Sequence, residues 1–302
     1  MTASAGTVAV SGGRGLVGSA LTEALAGARV VRLARPGSGN GNSVLFDPKG
    51  GSIDAVRLEG CDAVVHLAGE PIAAGRWNAS RKEKILHSRV EGTRLLVDGL
   101  SRIARRPRVL VCASAIGYYG NRADEELKES SSPGDDFLAK VVRQWEAEAG
   151  RAASLGIRVV TLRLGIVLSA KGGALARMLT PFKLGLGGRL GDGRQWMSWI
   201  HIEDLVRVIL FALQNEALSG PVNAVAPEPA RNADFTVALA GALHRPALMP
   251  APAFALRLAL GEMADALLLS SARVVPGRLA EAGFAWKFPR LEAALGNLVG
   301  RG

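Results

Sequence analysis

The sequence predicts an α/β fold, a doubly wound parallel sheet of the Rossmann type with a smaller C-terminal lobe, on three observations. The apolar run Thr7-Val8-Ala9-Val10-Ser11 passes directly into Gly12-Gly13-Arg14-Gly15-Leu16-Val17-Gly18, a G-x-x-G-x-x-G turn that opens an amphipathic stretch. Short apolar runs then alternate with long helical stretches, the pattern of parallel strands joined by crossover helices. With 302 residues, the chain has room for one large α/β domain and a lobe.

The elements follow in order. After the first strand and its glycine turn, Arg29-Val30-Val31-Arg32-Leu33-Ala34-Arg35 reads as a second strand and Val44-Leu45-Phe46-Asp47 as a third. Ala63-Val64-Val65-His66-Leu67-Ala68-Gly69 reads as a fourth, and Val109-Leu110-Val111-Cys112-Ala113-Ser114 as a fifth. The stretch from Ala79 to Ile103 carries Ile85, Val90, Leu95, Leu96 and Leu100 with charges between them, which predicts a long amphipathic helix. A second helix is expected from about Asp136 to Leu155, ahead of a strand from Val159 to Leu168. From Lys171 the texture turns glycine-rich, through Pro181-Phe182-Lys183-Leu184-Gly185-Leu186-Gly187-Gly188. That segment suits a mobile cover over a pocket, and equally an ordinary surface connection.

The glycine turn carries the first functional expectation. Gly12 permits the tight turn, Gly15 lets the backbone approach a pyrophosphate, and Gly18 lets the next helix pack on the strand. The amides of Leu16 and Val17 then lie at a positive helix end aimed at phosphate. At the end of the second strand, where an NAD site places an acid for the ribose 2′-hydroxyl, stands Arg35. A guanidinium there pairs a 2′-phosphate, and Arg14 adds a second cation or stacks on adenine, so NADP(H) is expected over NAD.

Composition narrows the partners. The net charge of +10 comes mostly from scattered arginines with no basic tail and few interleaved aromatics, which speaks against nucleic acid and for an anionic cofactor. The two cysteines, Cys61 and Cys112, sit in or beside apolar runs and read as buried thiols of a reducing compartment, with the cytoplasm as the expected location and no metal-ligand spacing. The apolar segment from Ala253 to Leu269 is interrupted by Arg257, Glu262 and Asp265, and the first strand begins within ten residues. Neither export nor a membrane partner is expected. A homodimer stays open.

Taken with the glycine turn, Leu67-Ala68-Gly69, the strand bearing Ser114 and Trp199-Ile200-His201-Ile202-Glu203-Asp204-Leu205 make the chain resemble the extended short-chain dehydrogenase/reductase family. Ser114-Ala115-Ile116-Gly117-Tyr118-Tyr119-Gly120, Pro181 to Gly188 and Gly283-Phe284-Ala285-Trp286 resemble its atypical NAD(P)-dependent epimerase/dehydratase-like branch. The resemblance implies a cofactor domain over residues 1–165, rejoined by about 200–225, and a substrate lobe from 166–199 and 226–302. It also implies a small-molecule substrate.

The departures from that family are as informative. Its chemistry rests on Tyr-x-x-x-Lys, in which a phenolate takes a proton from a substrate hydroxyl. Here the pair would be Leu138 and Val142, and neither Tyr118 nor Tyr119 has a lysine four residues on. The hydroxyls left near the expected nicotinamide are those of Ser114, where the family carries its catalytic Ser or Thr, and of Tyr118 or Tyr119. Glu70 follows the fourth-strand tip as a possible base or a loop-fixing carboxylate. Ser88-Arg89-Val90-Glu91-Gly92-Thr93 resembles the family's Asn-Val-x-Gly-Thr phrase, which places Arg89 at the pyrophosphate, with Lys84 flanking it. Arg81, Lys82 and Glu83 read as a solvated face. Where the resemblance places the arginine that clamps a nucleotide sugar's diphosphate stands Met197, which favours a less charged, more apolar substrate. His66 and His201, each between apolar neighbours, read as core histidines. Two functions remain: an NADP(H)-dependent oxidoreductase or epimerase-like enzyme for a small carbonyl or hydroxyl compound, or a regulatory protein that binds NADPH without turning it over.

Overall fold

The computed structural model describes residues 6–38 and 43–300. Its main sheet has eight strands: β1 (Thr7–Ser11), β2 (Arg29–Ala34), β3 (Val44–Asp47), β4 (Ser52–Ile53), β5 (Ala63–His66), β6 (Val109–Ala115), β8 (Arg158–Leu164) and β12 (Gly220–Ala224), with β7 (Glu126–Leu127) and β9 (Ile166–Leu168) to β11 (β10 Trp196–Met197, β11 Trp199–His201) lying outside it. The order across the sheet is β12-β8-β6-β5-β1-β2-β3-β4, and every neighbouring pair is parallel except β3 with β4. Because β1 is followed on one side by β2 and on the other by β5, the winding reverses between β1 and β5, and a crevice opens beyond their carboxyl ends.

Strand pleating sorts the apolar residues onto two faces. Val8, Val10, Val65, Val109 and Val111 face α1 (Leu16–Ala24), through Leu21 and Leu25, and α5 (Ile202–Gln214), through Leu205 and Ile209. Ala9, Val64, Leu110 and Cys112 face the opposite layer, α2 (Ala79–Ser101) and α3 (Phe137–Gly150), through Leu96, Leu100, Trp145 and Ala149. Both cysteines are buried and free.

The strand expected from Val159 to Leu168 is two strands. Gly165 breaks it: a Cβ there would stand 2.7 Å from the Ser198 carbonyl oxygen and 2.8 Å from Val225, so the chain leaves the sheet at the one residue that fits. It continues as β9, which pairs with β11. The glycine-rich segment from Lys171 is not a mobile cover, because Gly173–Lys183 forms helix α4 and the following turn is pinned to the backbone of residues 247–251. A Cβ on Gly188 would fall 2.1 Å from the Met249 carbonyl oxygen, which requires glycine there. Strand β13 (Ala230–Arg231) pairs with β10, and helix α6 (Asn232–Ala242) packs with the C-terminal helix Leu291–Val299. Leu175, Phe182, Trp199, Phe235, Leu239 and Leu295 fill this second core. The C-terminal portion does not stay in that lobe, since Leu279 and Phe284 return to the first core.

His66 at the end of β5 is fully buried with its Nδ1 2.6 Å from the Ser11 hydroxyl. That hydroxyl already accepts from the amides of Leu67 and Ala68, so its own proton goes to Nδ1, and the imidazole is neutral with hydrogen on Nε2. Burial holds its pKa down at about 4. An unfolded chain takes up this proton near pH 6.5, so stability falls as pH drops from about 6.5 to about 4, by roughly 3 kcal/mol at full extent. Urea unfolding at pH 7 and 4.5 checks this: His66→Asn is expected to show a distinctly smaller loss than the native chain, and an equal loss would refute the assignment.

Candidate functional site

The crevice between β1 and β5 is built from turn residues with no side chain in the way. Gly12 takes φ +69°, its amide-bearing turn closes by the Gly15 N–H donating to the Gly12 carbonyl at 2.9 Å, and Gly15 caps α1 without a side-chain hydrogen bond. No acid stands in the first turn of α1, so the Leu16 and Val17 amides keep their donors for an anion. Gly18 is committed to packing: a Cβ would meet the Gly12 carbonyl oxygen at 2.2 Å. Arg14 and Arg35 are exposed beside this turn, and their guanidinium groups have no hydrogen bond or ion pair among the described residues. Arg32 joins them, with its Cγ 3.9 Å from where a Gly13 Cβ would stand. Its place on a strand drew no attention in the sequence, although it precedes Arg35 by three residues.

Opposite the turn, the chain after β5 runs through Leu67, Ala68, Gly69 and Glu70 beneath α2. Arg89 reaches this strand tip, donating to the Glu70 carbonyl at 3.1 Å and the Ile85 carbonyl at 3.3 Å, and its guanidinium lies 3.4 Å from where a Gly69 Cβ would be. Burial lowers its pKa to about 10, with the Glu70 carboxylate partly offsetting this and Arg81 adding to it. Among the described residues no carboxylate bonds to Arg89, because that of Glu70 pairs instead with Arg81 at 3.4 Å. Arg81 also donates to the Pro71 carbonyl. The solvated face expected for Arg81 is therefore wrong: the residue sits one turn before Ile85 and Arg89 on the inward stripe of α2. Lys84 falls off that stripe, is exposed and has no partner among the described residues, so the structure does not bring it to the crevice.

The three candidate acids gather around one guanidinium. Register pairs Ser114 on β6 with Arg163 on β8, at the same carboxyl edge. Arg163 is nearly fully buried and grips Glu146 of α3 with two bonds of 2.9 Å. Burial opposes its charge, and the Glu146 carboxylate more than reverses that, leaving its pKa raised. Ser114 is buried and donates to Glu146 at 2.5 Å. Tyr119, fully buried, donates to Asn223 at 2.7 Å and accepts from Arg163 at 3.0 Å. Burial pushes its pKa up to about 12. Both hydroxyls are thus held by the protein. Tyr118 differs: its ring lies under Arg163, 3.4 Å from ring centroid to guanidinium carbon, and its hydroxyl has no partner among the described residues. Sequence reading missed Arg163, Glu146 and Asn223. The available signal was a charge in the last turn of an apolar strand, Val159-Val160-Thr161-Leu162-Arg163.

Helix α4 borders the crevice from the lobe side. The Cβ positions of Gly172 and Gly173 lie 3.3 Å from Leu16, and Arg177 of α4 donates to the Ala73 carbonyl at 2.9 Å. His201 is structural: its Nδ1 accepts from the Glu203 amide at 3.1 Å to cap α5, and its ring stacks on Phe288. Met197 accepts from Asn232 at 3.3 Å, while Trp196 beside it is flanked by Arg231 and Arg273, each engaged by a carboxylate, Asp124 and Glu126.

The profile of the NAD dependent epimerase/dehydratase family matches residues 8–225. The chain belongs to that family. A domain of unknown function, DUF1731, matches residues 251–298, the stretch that runs from the lobe back to the first core. An epimerase family protein of Mycobacterium tuberculosis is 43% identical over 97% of this chain and 98% of its own. The crystal structure of the human epimerase family protein SDR39U1 with NADPH is 35% identical, with a TM-score of 0.89 over 98% of this chain and 100% of the human one. A Corynebacterium glutamicum structure described as a nucleoside-diphosphate sugar epimerase is 36% identical, with a TM-score of 0.82 over 98% of this chain and 59% of that one. Leu138, expected from the sequence at the family's tyrosine position, packs 3.4 Å from where a Gly117 Cβ would lie, next to Tyr118. Val142, expected in the lysine's place, is buried. Among the described residues no helix is long and apolar enough to cross a membrane.

Proposed function

We propose that the protein binds NADP(H) in the β1–β5 crevice and acts as an oxidoreductase or epimerase-like enzyme on a small carbonyl or hydroxyl compound. One observation carries the cofactor reading: Arg89, a half-buried guanidinium at the crevice that donates to the Glu70 and Ile85 carbonyls and bonds to no carboxylate among the described residues. A guanidinium held by neutral carbonyls keeps positive charge to spare, and an anionic ligand makes stronger, charge-assisted bonds with it. The free cations Arg14, Arg32 and Arg35 support a 2′-phosphate at the other end, and the human relative crystallised with NADPH supports the same choice.

When bound, the cofactor would supply or accept hydride at its nicotinamide. The chain's part is proton handling and exclusion of alternatives. Tyr118 holds the one candidate proton not already given to another residue, and Arg163 fixes a positive charge against its ring. The loss of an arginine at Met197 supports a substrate without a diphosphate. The name carried by the Corynebacterium protein favours a nucleotide sugar as the second reading, and Leu138 and Val142 favour a third, a binding protein without turnover.

Cofactor titration tests the core of this. NADPH is expected to bind at least about tenfold tighter than NADH, ~1.4 kcal/mol, with Arg35→Asp removing the preference. Arg89→Met is expected to weaken both cofactors, about 10- to 100-fold, because it acts at the shared pyrophosphate end. Equal affinities in the native chain would overturn the NADP assignment. Screening carbonyl compounds against nucleotide sugars for cofactor turnover then separates the substrate readings.

A further inference from the structure

Six of the nine large apolar side chains exposed in the described structure lie in one continuous stretch of the lobe. They are Leu184, Leu186, Leu248, Met249, Phe254 and Leu258, each between 55% and 79% exposed. Single exposed hydrophobes are ordinary, but a concentration of this kind marks an interaction surface. Backbone bonds hold its parts side by side: the Met249 amide donates to the Gly187 carbonyl at 3.0 Å and the Ala251 amide to the Arg189 carbonyl at 2.9 Å. Helix α7 (Ala253–Leu260) follows at once. Its sequence, Ala-Phe-Ala-Leu-Arg-Leu-Ala-Leu, is that of a core helix, yet none of its residues is buried. Phe254 and Leu258, four residues apart, stand on one face.

Charge distinguishes what this surface fits. Residues 181–194 and 244–260 hold five cations, Lys183, Arg189, Arg194, Arg245 and Arg257, against one acid, Asp192. Arg257 is neutralised by Asp265 and Arg194 lies in the field of the Asp124 carboxylate, while Lys183, Arg189 and Arg245 have exposed side chains without a carboxylate partner among the described residues. A second copy of the chain, docked through the same surface, would set these three cations against their own duplicates. An interface combining apolar burial with negative charge satisfies both features. We propose that this face, α7 with the 184–191 and 247–251 segments, docks the protein onto an anionic lipid membrane surface. This departs from the expectation of no membrane partner, which rested on the lack of an uninterrupted apolar segment; docking of this kind requires none. Apolar side chains enter the acyl boundary while the cations contact headgroup phosphates, each adding to the attraction.

Vesicle flotation with the full chain tests the proposal, using phosphatidylcholine vesicles with and without phosphatidylglycerol. The native protein is expected to float with the anionic vesicles at low salt, to be released as salt rises, and to ignore pure phosphatidylcholine. Phe254→Asp with Leu258→Asp is expected to weaken binding at least about tenfold. Lys183→Gln with Arg189→Gln and Arg245→Gln is expected to abolish the preference for phosphatidylglycerol. NADPH affinity, measured on the same samples, should stay native in both variants and so reports that they are folded. Failure of the native chain to float at low salt, or flotation of both variants like the native chain, overturns the proposal. So does a concentration-dependent dimer in light scattering that the Phe254→Asp, Leu258→Asp variant abolishes, because the surface then serves a second copy.

Discussion

Gly15→Val is expected to weaken NADPH binding severely and leave the fold intact, whereas Gly18→Val, three residues later in the same motif, is expected to destabilise the fold strongly. The difference lies in where the new side chain would go. Gly15 has φ −74° and ψ 172°, a conformation open to valine, and the one protein atom within 4 Å of its Cβ position is the Gly12 carbonyl oxygen at 3.2 Å. Its side chain therefore points into the crevice, into the volume assigned to the pyrophosphate. The structural cost is that of a poor helix cap, ~1 kcal/mol or less, while affinity should fall at least about 100-fold, ~2.7 kcal/mol. At Gly18 the Cβ would stand 2.2 Å from the Gly12 carbonyl oxygen, 2.7 Å from the Gly13 Cα and 2.9 Å from the Gly12 carbonyl carbon. All three are backbone, so α1 must lift off β1, at a cost of about 3 kcal/mol or more out of a total stability of ~5–15 kcal/mol. Circular dichroism, thermal unfolding and cofactor titration on both variants decide it. A native dissociation constant for Gly15→Val would reduce the motif to a turn.

That contrast also shows how far the residues themselves specify the structure. The glycine turn was legible because each glycine has a local reason, a tight turn, a close approach or a packing contact, which needs no knowledge of distant residues. The same holds for the strands at 7–11, 44–47 and 109–114, where apolar runs end at turn residues. The break at Gly165 was not legible, because its cause is the Ser198 carbonyl, 33 positions away in the chain and adjacent only in space. Arg81 was misread for the same kind of reason: its charge looked solvated among Lys82 and Glu83, and the partner that turns it inward is the Glu70 loop. Of the site, the sequence assigned Arg89 to the pyrophosphate and the three hydroxyls to the nicotinamide. It did not reveal that a β6–β8 register would set Arg163 beside Ser114, and this buried guanidinium decides which hydroxyls are already spent. A buried ion pair with this many bonds is a property of the assembled sheet.

The arrangement around Arg163 separates the three hydroxyls by the kind of damage their loss should cause. Ser114 and Tyr119 each donate to a protein acceptor, and removing either leaves a buried acceptor, Glu146 or Asn223, short of a partner. Ser114→Ala and Tyr119→Phe are therefore expected to lower stability by about 1–3 kcal/mol, with cofactor affinity close to native. Tyr118 is the reverse case. Its hydroxyl has no hydrogen-bond partner among the described residues, so Tyr118→Phe should unfold at the native temperature and bind NADPH normally. If Tyr118 passes a proton to or from the substrate oxygen, its loss matters when charge develops there, and turnover should fall roughly 10²- to 10⁴-fold. Single-turnover rates on a compound found by screening, with unfolding curves for the same three variants, read both quantities. Native turnover in Tyr118→Phe would remove it from the chemistry. If no carbonyl or hydroxyl compound is ever turned over while NADPH still binds tightly, the pair Leu138 and Val142 gains its simplest meaning, a family member that has kept the cofactor and given up the reaction.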